Sequence, residues 1–453
     1  MKGGIFLGWI QMLEKTYDVC EPIVGKKVNE DPILLPISHS TANAQIEVTI
    51  DLKGNFMPAL SGIIPKEGED KITIIPVTED SASRSNGSCP HALCDKLCYV
   101  AGDYSLYTNE DKTEYYNDYL NNLRKWTMSE FSNKWLQCVY FYLKKAALIQ
   151  DLIKAKLLVL DEDGLLSESE NKIQSVVQKD VMVRFAVWDS GEKHELWKEQ
   201  EMYQSFIQYY KTNLQNYNID YVTGEKILCS EKHPSKIRNS GDKAKLLSAN
   251  DTSGFTYRGR FTNREQAASI GYETSQKAHN ALRWLLARQG KYIDGEMTVV
   301  WKLPENLKEC NSGQDLDVVD LFGDTQEIFL PYFDWAVECR DEDDIELGRR
   351  FSEELNQAMA GYRAKFKPDD EIILLSVDAA TTGRLAATYY QEVPGNEFID
   401  RVIRWHQNCT WPRFVKIPKT KKWVFANHTA PSPNEMTLAA YGTEQEKGYL
   451  TCN

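Results

Sequence analysis

The spacing of apolar residues changes along this chain, and a chain whose hydrophobic period changes calls for a mixed fold rather than an all-β or all-α one. In the first third, Ile46, Val48, Ile50 and Leu52 alternate with Glu47, Thr49 and Asp51, the two-residue period of a half-buried strand. Lys53-Gly54-Asn55 then supplies a turn in which glycine accepts positive φ, so a hairpin is expected. Lys71–Thr78 reads as another strand, and the Ser, Arg, Asn and Gly residues between Glu79 and Cys89 read as a loop. From about Tyr116 to Leu158 the pattern turns helical, with Trp126, Phe131, Trp135, Val139, Tyr142 and Leu143 three to five residues apart. A strand over Val181–Trp188 and a helical run from His194 to about Leu214 follow.

Residues 225–263 mix short β-like pieces (Glu225–Cys229, Lys245–Ala249) with turn chemistry. Asn263 is placed to cap a long helix running from Arg264 to just before Gly290. The last third alternates: strand Met297–Leu303, helix Asp344–Phe366, strands Glu371–Asp378 and Arg384–Glu392, helix Glu397–Gln407, strand Lys422–Ala426. That order is β-α-β-β-α-β, the split arrangement of ferredoxin-like folds, interrupted by an extra helix near Glu327. With 453 residues the chain exceeds what one core gathers, so the expected fold is multi-domain α+β. The expected parts are a β-rich region over 1–115, a mainly helical one over 116–225, a basic stretch with a long helix over 226–295, and a ferredoxin-like region over 296–453.

No uncharged apolar run approaches the roughly 18 residues of a membrane span. Gly3–Leu13 is apolar but runs straight into Glu14 and Lys15 without a small-residue cleavage site, so it reads as an amphipathic helix and the protein as cytoplasmic. Ten cysteines scattered over the chain are too sparse for a disulfide scaffold and are expected to be reduced.

The charge is uneven. The net of −13 argues against nonspecific nucleic-acid binding, because phosphate contacts need cations. Yet Lys232, Lys236, Arg238, Lys243, Lys245, Arg258, Arg260 and Arg264 face only Asp242 and Asp251, and residues 401–422 hold seven basic side chains and no acidic one. Trp405, His406, Trp411 and Phe414 are interleaved with the second group. Cations that neutralise phosphates, next to rings that stack on bases, suit nucleic acid; the alternative is a solvated face whose aromatics belong to the core.

Catalytic signatures are missing. Neither a phosphate-binding loop nor a dinucleotide fingerprint occurs, nor does the nucleophile elbow. None of the seven histidines precedes Asp, and His194-Glu195 lacks the second histidine of a zinc-protease helix because position 198 is Lys. The acidic run Asp341–Asp344 reads as a solvated face. Cys89, His91, Cys94 and Cys98 are a weak zinc candidate, since their spacing matches no standard ribbon; the alternative is a set of small buried thiols around Pro90. No cofactor is expected.

Several blocks, in order, carry a resemblance over essentially the whole chain: Asn43–Val48 leading into Gly54-Asn55-Phe56; Arg84–Gly87 with Leu93–Lys96 and Tyr99-Val100; Lys236-Ile237, Ser248–Asn250 and Phe255–Gly259; Tyr272–Thr274 and Asn280–Leu282; Ala379–Arg384 with Tyr389-Tyr390 and Trp405-His406. In these the chain resembles the large-subunit family of the type I-C CRISPR Cascade, the Csd-type CRISPR-associated proteins. The resemblance implies a non-enzymatic subunit of a crRNA-guided complex, beside the backbone subunits and those holding the guide's 5′ end. Such a subunit recognises the protospacer-adjacent motif (PAM) in double-stranded target DNA, helps open it, and presents the complex to a helicase-nuclease. Members usually continue into a C-terminal helical bundle, which this chain, stopping at Asn453, is expected to lack.

Given that role, Arg84, Ser85, Asn86 and Gly87 are the expected PAM-reading loop: Gly87 permits close backbone approach, while Arg84 and Asn86 carry donors for base edges. Asn43 and Gln45 are a second candidate pair. Lys236, Lys243, Lys245, Arg258, Arg260, Arg404 and Arg413 are expected phosphate contacts, which position a duplex without specifying its sequence. Two other readings remain open: a metal-independent guide-RNA endoribonuclease using His233 or His406 as base, and an architectural scaffold without DNA specificity.

Overall fold

The computed structural model describes residues 8–28, 31–67, 72–84, 87–166, 172–248, 261, 263–293, 296–303, 370–381, 383–409, 413–416, 423–426 and 430. The chain divides into two units, one formed by 23–235 with 247–280 and the other by 1–22, 236–246 and 281–453. The secondary structure is mixed α+β, as expected.

The first of these units is organised by two parallel strands, β2 (Ile46–Asp51) and β6 (Met182–Asp189), paired from Ile46↔Val183 to Asp51↔Trp188. Parallel neighbours require a long crossover, and here it contains the helices. Sequence alternation predicts one wet face for β2, but the strand is covered on both: Ile46, Val48, Ile50 and Thr49 are all fully buried. Its sheet is completed by β3 (Gly62–Ile63) on β2, and by β5 (Asp95–Lys96) and β7 (Glu192–Glu195) on β6. A separate antiparallel pair joins β1 (His39–Asn43) to β4 (Ile72–Pro76).

Two short helices, α2 (Glu79–Ala82) and α3 (Leu97–Val100), flank the loop of interest. The helical stretch resolves into α4 (Thr113–Thr127), α5 (Lys134–Leu143) and α6 (Leu148–Lys154). Their apolar stripes (Tyr119, Leu123 and Trp126; Trp135, Leu136, Val139 and Tyr142; Leu148, Ile149 and Leu152) join one buried cluster with β2 and β6. Asn133 starts α5, its side-chain carbonyl accepting the Leu136 N–H at 2.9 Å. The next helix, α7 (Gln200–Asn213), begins later than the apolar pattern suggests because His194-Glu195 is held in β7. A small hairpin follows, β8 (Tyr217–Ile219) with β9 (Lys226–Leu228).

The long helix expected from Arg264 is interrupted. Asn263 does cap a first turn, α8 (Arg264–Ala267), through its bond to the Gln266 N–H. The chain then breaks, because Gly271 bridges to Cys229 and donates its N–H to buried Asp220 at 3.0 Å; α9 (Tyr272–Gln289) restarts after it.

In the other unit, α1 (Gly8–Val19) is amphipathic, burying Trp9, Ile10, Met12, Leu13, Thr16 and Tyr17; it runs past Leu13, where the expected helix ended, and residues 3–7 lie outside the described ones. Its Thr16 hydroxyl accepts the Trp301 indole N–H at 3.2 Å. Strands β10 (Lys291–Ile293), β11 (Glu296–Lys302), β12 (Glu371–Thr381) and β13 (Arg384–Pro394) pair antiparallel in sequence order. A ferredoxin-like sheet would instead insert the β13 strand between β11 and β12; here β11 pairs β12 directly, Val299 facing Leu375, so the described strands form a meander. The helix expected over Asp344–Phe366 and the one near Glu327 lie outside the described residues. After β13 come α10 (Gly395–Asn408) and a separate hairpin, β14 (Arg413–Lys416) with β15 (Trp423–Ala426).

Six of the described cysteines are free thiols, in line with the sparse cysteine spacing.

Candidate nucleic-acid interface

The loop after β4 is built from its ends inward. Thr78 and Ser81 form a reciprocal capping box at the start of α2. The Glu79 N–H donates to the Tyr210 hydroxyl at 3.0 Å. The Glu79 carboxylate accepts the Glu231 N–H at 3.1 Å, and Lys232 pairs with Asp80 at 2.5 Å. These contacts bring the first cation of the 232–264 basic segment against the root of the loop, a proximity that their separation in sequence conceals.

At the far end of α2, Arg84 turns inward. Its Nη1 and Nη2 each lie 2.7 Å from one oxygen of Asp95, and Nη1 also donates to the Cys89 carbonyl at 3.1 Å. The guanidinium carbon sits 4.8 Å from the centre of the Tyr99 ring. Asp95 is fully buried and accepts two further bonds, from the His91 and Lys96 N–H groups at 2.7 and 2.8 Å. Although burial acts to lower it, the Asp95 hydrogen bond and charge hold the Arg84 guanidinium above its usual pKa. The fork expected to meet a base edge therefore meets Asp95.

Beyond that clamp the chain reaches an exposed Gly87 with φ +78, in the left-handed region that glycine favours, and with open space around its Cα. Ser85 and Asn86, the other expected readers, lie outside the described residues. Of the second pair, Asn43 is exposed at the end of β1. Gln45 is buried, with Oε1 accepting the Met182 N–H and Nε2 donating to the Asn43 carbonyl, both at 2.8 Å. Both halves of its amide are used inside the fold.

The zinc candidates do not converge. Among the described residues no group of three or more His, Cys, Asp or Glu side chains is placed to hold a metal ion. Burial pushes the Cys94 thiol up to about 12 and the Cys98 thiol to about 11, as for small thiols packed in a core.

The expected phosphate contacts divide. Lys245 is tied by its backbone to β13: its N–H donates to the Gly383 carbonyl and its carbonyl accepts the Leu385 N–H, at 3.1 and 3.0 Å. This sets the 236–246 segment beside Arg384. Lys243 is exposed on that segment, and Lys236 holds a positive φ of 61 while its N–H bonds the Asp242 carbonyl. Arg238 is paired with Asp242 at 2.8 Å. Arg404 is exposed on α10, and Arg413 lies on β14 with its side chain outside the described ones. Arg258 and Arg260 are outside the described residues, as is the side chain of Arg264.

Sequence reasoning missed a second buried charge cluster, on β2 and β6. The Arg184 Nη2 donates to Glu47 Oε2 at 2.7 Å, its Nη1 reaches the Thr73 hydroxyl at 3.3 Å, and its guanidinium stacks 3.7 Å above the Trp197 ring. Lys193 also pairs with Glu47. The only local signal was Arg184 itself, a charge in the middle of a strongly apolar strand.

The described residues define a two-unit α+β protein in which Arg84 and Arg184 turn inward onto carboxylates. The chain belongs to the CRISPR-associated family whose model, described as "CRISPR-associated protein (Cas_Csd1)", matches residues 13–450. No curated protein matches it. Among the described residues, no helix is long and apolar enough to cross a membrane.

Proposed function

We propose that this chain is the large subunit of a type I-C crRNA-guided surveillance complex, recognising the PAM in duplex DNA, assisting its opening and presenting the assembly to a helicase-nuclease. The observation that carries this reading is the family match over nearly the whole chain. Two structural features support it: the Gly87 tip stands open at the end of a loop fixed by Arg84 and Asp95, and the root of that loop meets Lys232. Residues Ser85–Gly87 read the PAM, while Arg84 is held by Asp95. Backbone subunits, guide RNA, duplex DNA and the helicase-nuclease are its partners.

The subunit acts without chemistry of its own. His233, one of the two bases an endoribonuclease reading requires, is buried and bonded to the Ser275 hydroxyl at 2.8 Å, poorly placed to take a proton from bound RNA.

The test is target-duplex binding by the crRNA-loaded backbone complex, with and without this chain, on correct and scrambled PAMs at fixed salt. Tight binding to the correct PAM only when the chain is present supports the proposal. Assembly without added discrimination favours the scaffold reading instead.

A further inference from the structure

A cavity of about 450 Å³ opens between the Gly54–Pro58 turn and the α5–α6 corner, lined by Asn55, Phe56, Tyr142, Lys145, Asp151 and Lys154 among others. That volume is within the range of small-ligand sites. Its aromatic side is Phe56, half-buried and nearly parallel to buried Tyr142, with ring centres 6.3 Å apart and planes at 16°. The Lys145 ammonium is fixed at the rim by the Gly54 carbonyl at 2.5 Å and Asn55 Oδ1 at 3.0 Å. Lys154 is exposed and has no ion-pair partner among the described residues. Lys53, Lys144 and Lys156 are exposed on the same turn and helix ends, an accumulation of cations in a chain of net charge −13. Asp151 lies among them, its Oδ2 accepting the Tyr142 hydroxyl proton at 3.2 Å.

From this arrangement we infer that the cavity is a nucleotide subsite: a base stacks on Phe56, and its phosphate meets Lys145 and Lys154. Asp151 separates this ligand from a bare anion. A carboxylate inside the cavity disfavours phosphate alone, but it accepts the amino or imino protons of a base edge. A ring with an attached phosphate satisfies all of these groups, whereas neither an apolar ligand nor an inorganic anion does. The identity of the ligand rests on the DNA-handling reading above. The same chemistry is offered by an unstacked nucleotide within a single strand and by a free nucleotide.

The experiment uses the full chain and a fluorescein-labelled single-stranded oligothymidine read by anisotropy. The expected results are saturable binding, a loss of at least about five-fold for Phe56→Ala, the lower end of what one stacked base contributes, and a comparable loss for Lys154→Glu. Lys125→Glu on α4, which carries the same charge change but does not line the cavity, leaves binding unchanged. Lys154 is exposed and makes no side-chain hydrogen bond or ion pair among the described residues, so its variant is expected to keep the wild-type melting temperature and separates binding from folding. Thymidine monophosphate as competitor distinguishes the sources: displacement of the probe assigns the site to a free nucleotide, and failure to displace it assigns the site to a strand, either outcome upholding the subsite. Absence of probe binding by the wild-type chain, or wild-type affinity in folded Phe56→Ala and Lys154→Glu, overturns the inference. Because PAM discrimination is scored separately on duplex DNA in the assembled complex, that failure leaves the large-subunit reading standing.

Discussion

Arg84 and Asp95 meet fork to fork, two 2.7 Å bonds joining a guanidinium that is 22 % exposed to a carboxylate that is not exposed at all. The asymmetry decides the role. Deleting the arginine strands a buried negative charge, so Arg84→Ala is expected to destabilise the protein by roughly 3 kcal/mol, seen as a lower urea midpoint. A purely DNA-reading arginine would leave that midpoint in place.

The loop tip behaves differently. Asn86→Ala is expected to keep wild-type stability and to reduce discrimination between correct and incorrect PAMs by about 1–3 kcal/mol, measured as the ratio of duplex affinities in the assembled complex. An unchanged ratio would remove Asn86 from the reading loop.

Gln45→Ala should show the converse. Its amide bridges Met182 and Asn43 inside the fold, so the substitution costs about 1–3 kcal/mol of stability through unsatisfied backbone groups. DNA discrimination by the surviving folded fraction stays as in the wild type.

Exposed Lys243 and Arg404 are expected to act without regard to sequence. Each change to alanine should weaken duplex binding equally on every PAM and flatten the log-affinity against log-salt slope by about one unit per lost phosphate contact. A PAM-dependent effect would contradict this assignment.

A pH dependence follows from His39. Burial lowers its pKa to about 4, although its Nδ1 bonds the Ile37 carbonyl at 2.8 Å. The unfolded chain therefore binds a proton below about pH 6.5 that the folded chain refuses until about pH 4. Stability contributed by neutral His39 is complete above pH 6.5 and falls as the pH drops to 4, by about 3 kcal/mol in all. Denaturant midpoints measured across that window should fall with acidification, and His39→Gln should flatten the slope whatever its effect at neutral pH.

Local signals were legible where neighbours in sequence are neighbours in space. The Trp126, Trp135 and Tyr142 spacing gave the α4–α6 helices, and Asn263 was correctly read as a cap. What failed was set by partners far along the chain. The alternation in β2 promised a wet face for Glu47, but Arg184, 137 residues away, lies over it and turns a surface pattern into a buried ion pair. The expected continuous helix breaks at Gly271 because Asp220 claims its N–H. In the C-terminal sheet the element order was sound over the described strands, yet order alone does not fix which strand lies beside which. The site was least legible: an arginine in a Ser/Asn/Gly loop looks the same on paper whether it faces DNA or Asp95, and the lysines at the α5–α6 corner were absorbed into a helical pattern.

The parallel pairing of β2 with β6 has a consequence for how the protein comes into being. A strand in an antiparallel hairpin finds its partner within a few residues, but β2 waits for Met182–Asp189 before its central neighbour exists. During synthesis, the edge of β2 opposite β3 thus stays unpaired while the whole crossover is translated. Trigger-factor-like holding of nascent chains, or slower translation before residue 182, would matter most in that interval, and yields of soluble protein should respond to either.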